Sequence, residues 1–401
     1  MWIYCCRSLL VLSCYLLAAG LSTAQSPQVT ITPIYGASFE ASIAAWRDSG
    51  EIEFSNSTKS VWQRIRRLDF QPLAEDTTQR VWSIGLVGQG QLQVDSVEFD
   101  GESVQVRGLL GEIKLPIEQV SLIAPSAWLS QTPAAARPEP KLSEDQLVIE
   151  VEGQSETIAG LLESISASKV VFSFQNEPRE IPVARIRCVQ MASAGQAAQE
   201  IGATISLIDG SRIFGTPVQF KDGKLELDLA GLQVLEIPMK LIASIEMATD
   251  QQAYLSDLEP TKASLSGLLL PPREWSRDQS LVGKSLRIFD EEGRSEVLEF
   301  AKGIALPSNG TLVFENPEYD RLVGQVGLDV DTRGQGDCEI SLLVDDREVM
   351  RQRLRGTEPS LQIDVDLDGV STVTLRVEAG ERLELADHVN WCDLRFANTD
   401  Q

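Results

Sequence analysis

Short runs in which apolar and polar residues alternate one for one recur from Val29 to Phe396, and stretches that favour helix are short. A period of two sets one face of an extended strand toward a core and the other toward water. In the C-terminal third the alternation is sustained at 286–289, 297–300, 311–314, 323–330, 339–344, 361–367 and 372–377. Turn-forming pairs such as Asp345-Asp346 and Asp368-Gly369 divide these runs. Seven or more strands of this kind predict a two-sheet sandwich.

Upstream, the pattern repeats. The clearest copy spans 203–247: apolar 205–208, the turn Asp209-Gly210-Ser211, the turn Asp222-Gly223, the alternating run 224–229, and a close through Pro238 and 242–245. Asp-Gly flanked by alternating apolar residues is a strong hairpin signal. A second copy lies at 147–191, closing through Pro182, and a third at 82–124, with Asp100-Gly101 as its turn and Pro116 at its close. The first, 29–68, is the most degraded, with Trp62 near the place of the proline. A proline there marks a sheet edge, because it has no N–H to give to a central ladder. Copies of about 40–45 residues with some four strands each match a β-repeat array. One copy buries too little to stand alone, so neighbours are expected to pair through their closing strands. The expected result is two small SH3-like or Sm-like barrels: a repeat pair at 25–128, a Pro/Ala-rich linker at 129–146, and a second pair at 147–250.

The C-terminal span carries punctuation of its own. Tyr254-Leu255-Ser256-Asp257-Leu258-Glu259-Pro260 opens it. Lys302-Gly303-Ile304, Gly310-Thr311-Leu312-Val313-Phe314 and Leu322-Val323-Gly324-Gln325-Val326-Gly327-Leu328-Asp329 follow. Asp387-His388-Val389-Asn390-Trp391-Cys392-Asp393-Leu394-Arg395-Phe396 closes it. In that order and spacing these segments resemble the NPCBM family, carbohydrate-binding modules also found beside glycoside hydrolase family 98 catalytic domains. The resemblance covers residues 254–398, about a third of the chain. It implies a galactose-binding-like jelly roll and sugar recognition. One departure stands out: many members carry a histidine and a serine after the glycine matched by Gly303, whereas Leu306-Pro307-Ser308 stands here. If that histidine touches ligand, this copy binds something different or nothing. The whole chain therefore reads as all-β, an array of small barrels followed by a jelly-roll sandwich.

Charge narrows the partners. A formal net charge of -24 disfavours nucleic acid and anionic membrane surfaces, since binding a polyphosphate begins with neutralisation by Lys and Arg. Residues 1–24 read as a secretory signal, with one charge at Arg7, an apolar run from Ser8 to Gly20, and Ser22-Thr23-Ala24 before the cut. The expected product is secreted or periplasmic and no longer inserted in a membrane. Cys188, Cys338 and Cys392 then remain. Export permits a disulfide, and Cys338 and Cys392 share one candidate domain, but buried free thiols are the plainer reading.

Catalytic signatures are missing from the sequence. His388 is the one histidine, and there is no Gly-x-Ser-x-Gly elbow, His-Glu-x-x-His pair, P-loop or Rossmann glycine pattern. The expectation is a protein that is not an enzyme and needs no cofactor. Asp329 to Asp337 resembles a cation loop, but its ligand order is not that of an EF-hand and Arg333 interrupts it, so a polar hairpin is expected. Sugar binding asks for less: an aromatic face for the pyranose ring and a few polar groups for its hydroxyls. The candidates are Trp275, Tyr319, His388 and Trp391. Trp275 follows Pro271-Pro272 and Tyr319 follows Asn316-Pro317-Glu318, both loop contexts where ligand contacts gather. His388 is open between an exposed contact and a satisfied structural residue. Trp391, followed by alternating Leu394 and Phe396, reads as core with its indole N–H satisfied locally rather than as a platform. The function expected is an exported, non-catalytic protein that binds a glycan or polysaccharide. The alternative is a cell-surface structural module that has lost its sugar site and docks envelope proteins.

Overall fold

The computed structural model describes residues 28–399 except 71–75, 77, 79, 88–89, 133–142, 193–200, 230–232, 268–270, 291–296 and 382. Residues 1–24, expected to be a secretory signal, and most of the expected linker at 129–146 lie outside the described residues. Strands dominate, and Ser126–Gln131 is the one α-helix among the described residues.

Each repeat is a five-stranded unit, one strand more than expected. In the fourth repeat the strands are Gly202–Leu207, Arg212–Lys221, Lys224–Leu229, Gln233–Pro238 and Ile242–Ala248. The first strand pairs antiparallel with the fifth, Ile205 opposite Ile245, which closes the barrel. The extra strand comes from the proline. Pro238, at φ -58 and ψ 126, ends the fourth strand and launches the single 3-10 turn Met239–Leu241, after which the chain starts the fifth strand. Pro116 and Pro182 do the same in the second and third repeats. In the first, Val61 takes the proline's place and Trp62 opens the turn.

The repeats do not group as one with two and three with four. The closing strand Ile65–Phe70 of repeat one pairs with Ile242–Ala248 of repeat four, Leu68 facing Ile245. The closing strand Val120–Pro125 of repeat two pairs with Ile186–Gln190 of repeat three, Ile123 facing Val189. Repeat four touches repeat two through Arg212 and Gln91, so the spatial order is one, four, two, three. One apolar core runs through all four, including Trp46, Phe54, Leu68, Ile84, Phe172 and Ile245. Small barrels cannot each enclose enough apolar area, and sharing edge ladders merges their cores.

Nesting has a consequence for the rest of the chain. Because repeat four lies against repeat one, the chain that leaves Ala248 emerges beside repeat one and enters the sandwich there. Gln252–Tyr254 joins the sandwich at once by pairing with the last strand, His388–Ala397. That last strand is central to one sheet, between Gly303–Pro307 and Arg321–Leu328, with Ser276–Arg277 and Leu361–Asp366 outside them. The facing sheet runs Lys262–Leu265, Gly310–Glu315, Thr372–Ala379, Asp337–Val344, Arg347–Arg355. A separate hairpin, Leu286–Phe289 with Val297–Phe300, covers Cys392 and Ala305. The sandwich core holds Trp391, Phe314, Phe396, Leu342 and Leu375. Cys188, Cys338 and Cys392 are buried, and no disulfide joins them.

Candidate functional site

The four aromatic candidates separate into three places. Trp391 faces inward on the last strand and is 0% exposed, so it offers no ring face to a ligand. Its Nε1, expected to find a local partner, has none among the described residues.

Trp275 and His388 lie at one end of the first sheet. Ser276 sits opposite Ala305, and Pro307 opposite His388, so the three strands bring Arg273 and Trp275 toward the start of the last strand. Arg273 bridges the gap: its Nη1 is 2.7 Å from His388 Nε2. Burial, with the Arg273 charge beside it, lowers His388 to about 4. The imidazole is therefore neutral near pH 7, with Nε2 accepting from Arg273 and the ring proton on Nδ1. Trp275 is half-buried against the core, and the Arg277 guanidinium lies 4.9 Å from its ring centroid, itself paired with Glu259 at 2.8 Å. A cation over one face stabilises an indole and occupies that face.

Tyr319 is elsewhere, near the first repeat. Its ring stacks on Phe396 with centroids 5.9 Å apart and an interplanar angle of 5°, and its hydroxyl donates to the Asp250 carbonyl at 3.1 Å. Asn316 fixes the loop from both sides, accepting from the Tyr319 N–H and donating to its carbonyl. Tyr319 lines a groove of about 1190 Å³ whose opposite wall is repeat one, including Tyr35, Lys59 and Val61. Tyr35 escaped the sequence reading. Its setting, Pro33-Ile34-Tyr35-Gly36, is the same loop context that singled out Trp275, so the signal was present.

The wall is held in place by charge. At Asp393 the last strand bulges: Asp393 takes φ +52, its N–H leaves the ladder for the Lys302 carbonyl, and the register against Arg321–Leu328 shifts between Val323 and Gln325. A bulge turns a side chain away from its expected direction. Here it aims the Asp393 carboxylate at Arg66 of repeat one, 2.6 Å away, and at Arg395, 2.8 Å away. Arg395 in turn donates to the Ile34 carbonyl at 3.0 Å. Ile34, Val323 and Ala397 form a small apolar cluster next to it.

The stretch expected to be a polar hairpin is a capped 3-10 turn. The Asp329 side chain accepts from the Asp331 N–H at 2.9 Å, Asp331 pairs with Arg287 at 2.6 Å, and Arg353 grips Asp337 at 2.8 Å. Among the described residues no three His, Cys, Asp or Glu side chains are placed to hold a metal ion. Asp337 and Asp387 are nevertheless an unusual pair. The Asp337 N–H donates to Asp387 at 2.8 Å, yet Arg353 and Arg355 hold Asp337 at about 2 while burial pushes Asp387 up to about 6. Separated carboxyl values of this kind mark acid–base pairs in open sites. Here both side chains are buried, at 5% and 1% exposed, and neither lines the groove.

Residues 251–397 match the family model of the NPCBM/NEW2 domain. Among solved structures the chain is similar to CBM51 from Clostridium perfringens GH95 in complex with methyl-galactose. That match has 24% identity over 36% of this chain and 99% of that one, with a TM-score of 0.33. It is also similar to CBM51-2 in complex with GlcNAc and INT domains from Clostridium perfringens ZmpB, at 24% identity over 45% of this chain and 39% of that one, with a TM-score of 0.34. A third is the tandem CBM51 modules of Sp3GH98 from Streptococcus pneumoniae, at 13% identity over 79% and 88%, with a TM-score of 0.33. No curated protein matches the chain. Within the described residues no helix is long and apolar enough to cross a membrane. The C-terminal sandwich, residues 251–397, is an NPCBM/NEW2 domain.

Proposed function

We propose that the chain is an exported, non-catalytic carbohydrate-binding protein, with a sandwich at 254–398 that engages sugar by aromatic stacking and hydrogen bonds to hydroxyls. The observation that carries this reading is the match of residues 251–397 to the NPCBM/NEW2 family. The end of the first sheet supplies suitable chemistry: the Trp275 ring beside the core, and Arg273 with the neutral His388 as polar partners. A pyranose laid on an indole needs an apolar face and two or three directed donors or acceptors, and no displaced proton. On this reading the repeats at 25–128 and 147–250, joined through 129–146, carry the module, and residues 1–24 direct export.

Affinity electrophoresis of the full chain through gels cast with neutral polysaccharides tests this. The expected result is retardation by at least one of them, lost in Trp275→Ala with the melting curve of the sandwich retained. Equal mobility of Trp275→Ala and the parent would remove Trp275 from the site.

The second reading, a surface module that docks proteins, draws on Arg277. With that guanidinium over the Trp275 ring, one face is already taken. Arg277→Ala separates the two: it uncovers the ring and should raise sugar retention on the first reading, and change nothing on the second.

A further inference from the structure

We propose that the groove between repeat one and the sandwich is a second saccharide site, built by both halves and shaped for a neutral oligosaccharide chain. This rests on the reading of the sandwich as a carbohydrate-binding module, but it concerns different residues from the Trp275 end. The groove encloses about 1190 Å³. Pockets that bury a drug-sized ligand reach about 1,000 Å³, so one sugar ring leaves most of this space unfilled and a chain of several fills it.

Each half contributes one tyrosine to the lining. Both rings are fixed in the free protein. Tyr35, 40% exposed, donates its hydroxyl to Asp364 at 3.2 Å, and the Arg321 guanidinium sits 5.4 Å from its ring centroid. Arg321 is itself held by Asp364. Tyr319 rests one face on Phe396 and is tied at its hydroxyl to Asp250. A stacking platform that is already ordered gives up little entropy when ligand arrives. Lys59 and Ser60 on one wall, and Glu318 and Asp368 on the other, offer donors and acceptors to sugar hydroxyls. More carboxylates than bases line the groove, and the chain carries a net -24, so acidic glycans are disfavoured. The repeats then do more than space the module: without repeat one, one wall and one of the two rings are gone.

The test uses the full chain and a ladder of neutral oligosaccharides, from monosaccharide to hexasaccharide, with affinity read by titration calorimetry. The parent is expected to bind longer chains more tightly. Tyr35→Ala and Tyr319→Ala should each weaken the hexasaccharide roughly tenfold while leaving monosaccharide binding at the Trp275 end unchanged. Because truncating either ring could loosen the docked halves, Ser60→Trp supplies a variant that fills the groove and leaves those contacts in place. It should also lose the gain with chain length. If all three variants keep the parent's length dependence while Trp275→Ala abolishes binding, the groove is not a site and the module reading stands. If the groove variants lose hexasaccharide and Trp275→Ala changes nothing, the groove stands and the Trp275 site falls. A parent that binds no member of the ladder overturns both.

Discussion

Inside the repeat array, neighbouring copies share backbone ladders and a single apolar core. Where the array meets the sandwich, side chains make the contact: the Asp393 carboxylate between Arg66 and Arg395, Tyr35 with Asp364 and Arg321, and a cluster of three apolar residues. The difference follows from size. A barrel of some 45 residues cannot bury enough apolar surface by itself, so it must open its sheet to a neighbour. The sandwich, with its own two-sheet core, has no such need and can be held by polar contacts that orient it. Shared ladders spread a defect through every copy; a charged junction confines it.

Paired core truncations press hardest on that contrast. Leu68→Ala, in the ladder between repeats one and four, should cost about 2–5 kcal/mol, and Trp391→Ala, in the sandwich, about 3–5 kcal/mol. Followed by differential scanning calorimetry, Leu68→Ala should lower the array's transition as one unit and spare the sandwich. Trp391→Ala should do the reverse. A stepwise loss of repeats in Leu68→Ala, with repeats two and three surviving, would contradict a single shared core.

Junction chemistry comes next in size. Asp393→Ala leaves Arg66 and Arg395 side by side, both partly buried, with their shared carboxylate gone. Removing one partner of a buried pair strands a charge, at a cost of about 2–4 kcal/mol for groups of this exposure. The cost should fall on docking alone: faster proteolysis around 248–252, an enlarged radius in small-angle scattering, and unchanged transitions for each half. If the sandwich itself melts earlier, the bulge at Asp393 serves the fold of the last strand and not the docking.

The Asp337–Asp387 pair sharpens the picture of an independent sandwich through pH. Asp387 is raised in the folded state from 3.8 to about 6, so its contribution is fully present below 3.8 and lost as pH rises through 6, a change of about 3 kcal/mol at most. Asp337, lowered to about 2, contributes in the opposite sense: its share is present above 3.8 and lost as pH falls toward 2. His388 works against this: lowered from 6.5 to about 4, it contributes more as pH rises through that window, so the parent's sandwich transition should stay nearly level between pH 4 and 7 and that of Asp387→Asn should rise. The array lacks such a pair among its described residues and should show no matching slope. A rise of the same size in both halves of Asp387→Asn would assign the effect to net charge.

Much of this was legible from residues alone, and the misses share a cause. Alternation at 286–289, 311–314 and 372–377 named strands because a two-residue period has one structural meaning. Pro116, Pro182 and Pro238 were read as edge marks where the closing strand begins, and the run 242–245 was seen; that the close is two strands split by a 3-10 turn was not, because three residues leave no periodic trace. The nesting of repeats was not legible either, since every closing strand is apolar and nothing local says which it meets. The core place of Trp391 was expected beside Leu394 and Phe396, yet strict alternation sets residue 391 on the other face, and it is the bulge at Asp393 that brings all three into one core. The groove could not, because Tyr35 and Tyr319 lie 284 residues apart and meet only through that nesting.

The smallest effect tests which half owns Tyr319. Tyr319→Phe keeps the stack on Phe396 and removes one hydrogen bond, from the hydroxyl to the Asp250 carbonyl, worth about 0.5–1.5 kcal/mol. Asp250 lies in the connection between Ala248 and Gln252, so the bond ties the sandwich to the exit of the array. If that connection moves with the sandwich, the loss lowers the sandwich transition by a few degrees at most, and proteolysis near 250 is unchanged. If it moves with the array, the transition holds and cleavage near 250 accelerates, as in Asp393→Ala but more weakly. The second pattern would make the Tyr319 hydroxyl part of the junction, and the line between the two halves would then fall between Asp250 and Gln252, where the strand that pairs with the end of the sandwich begins.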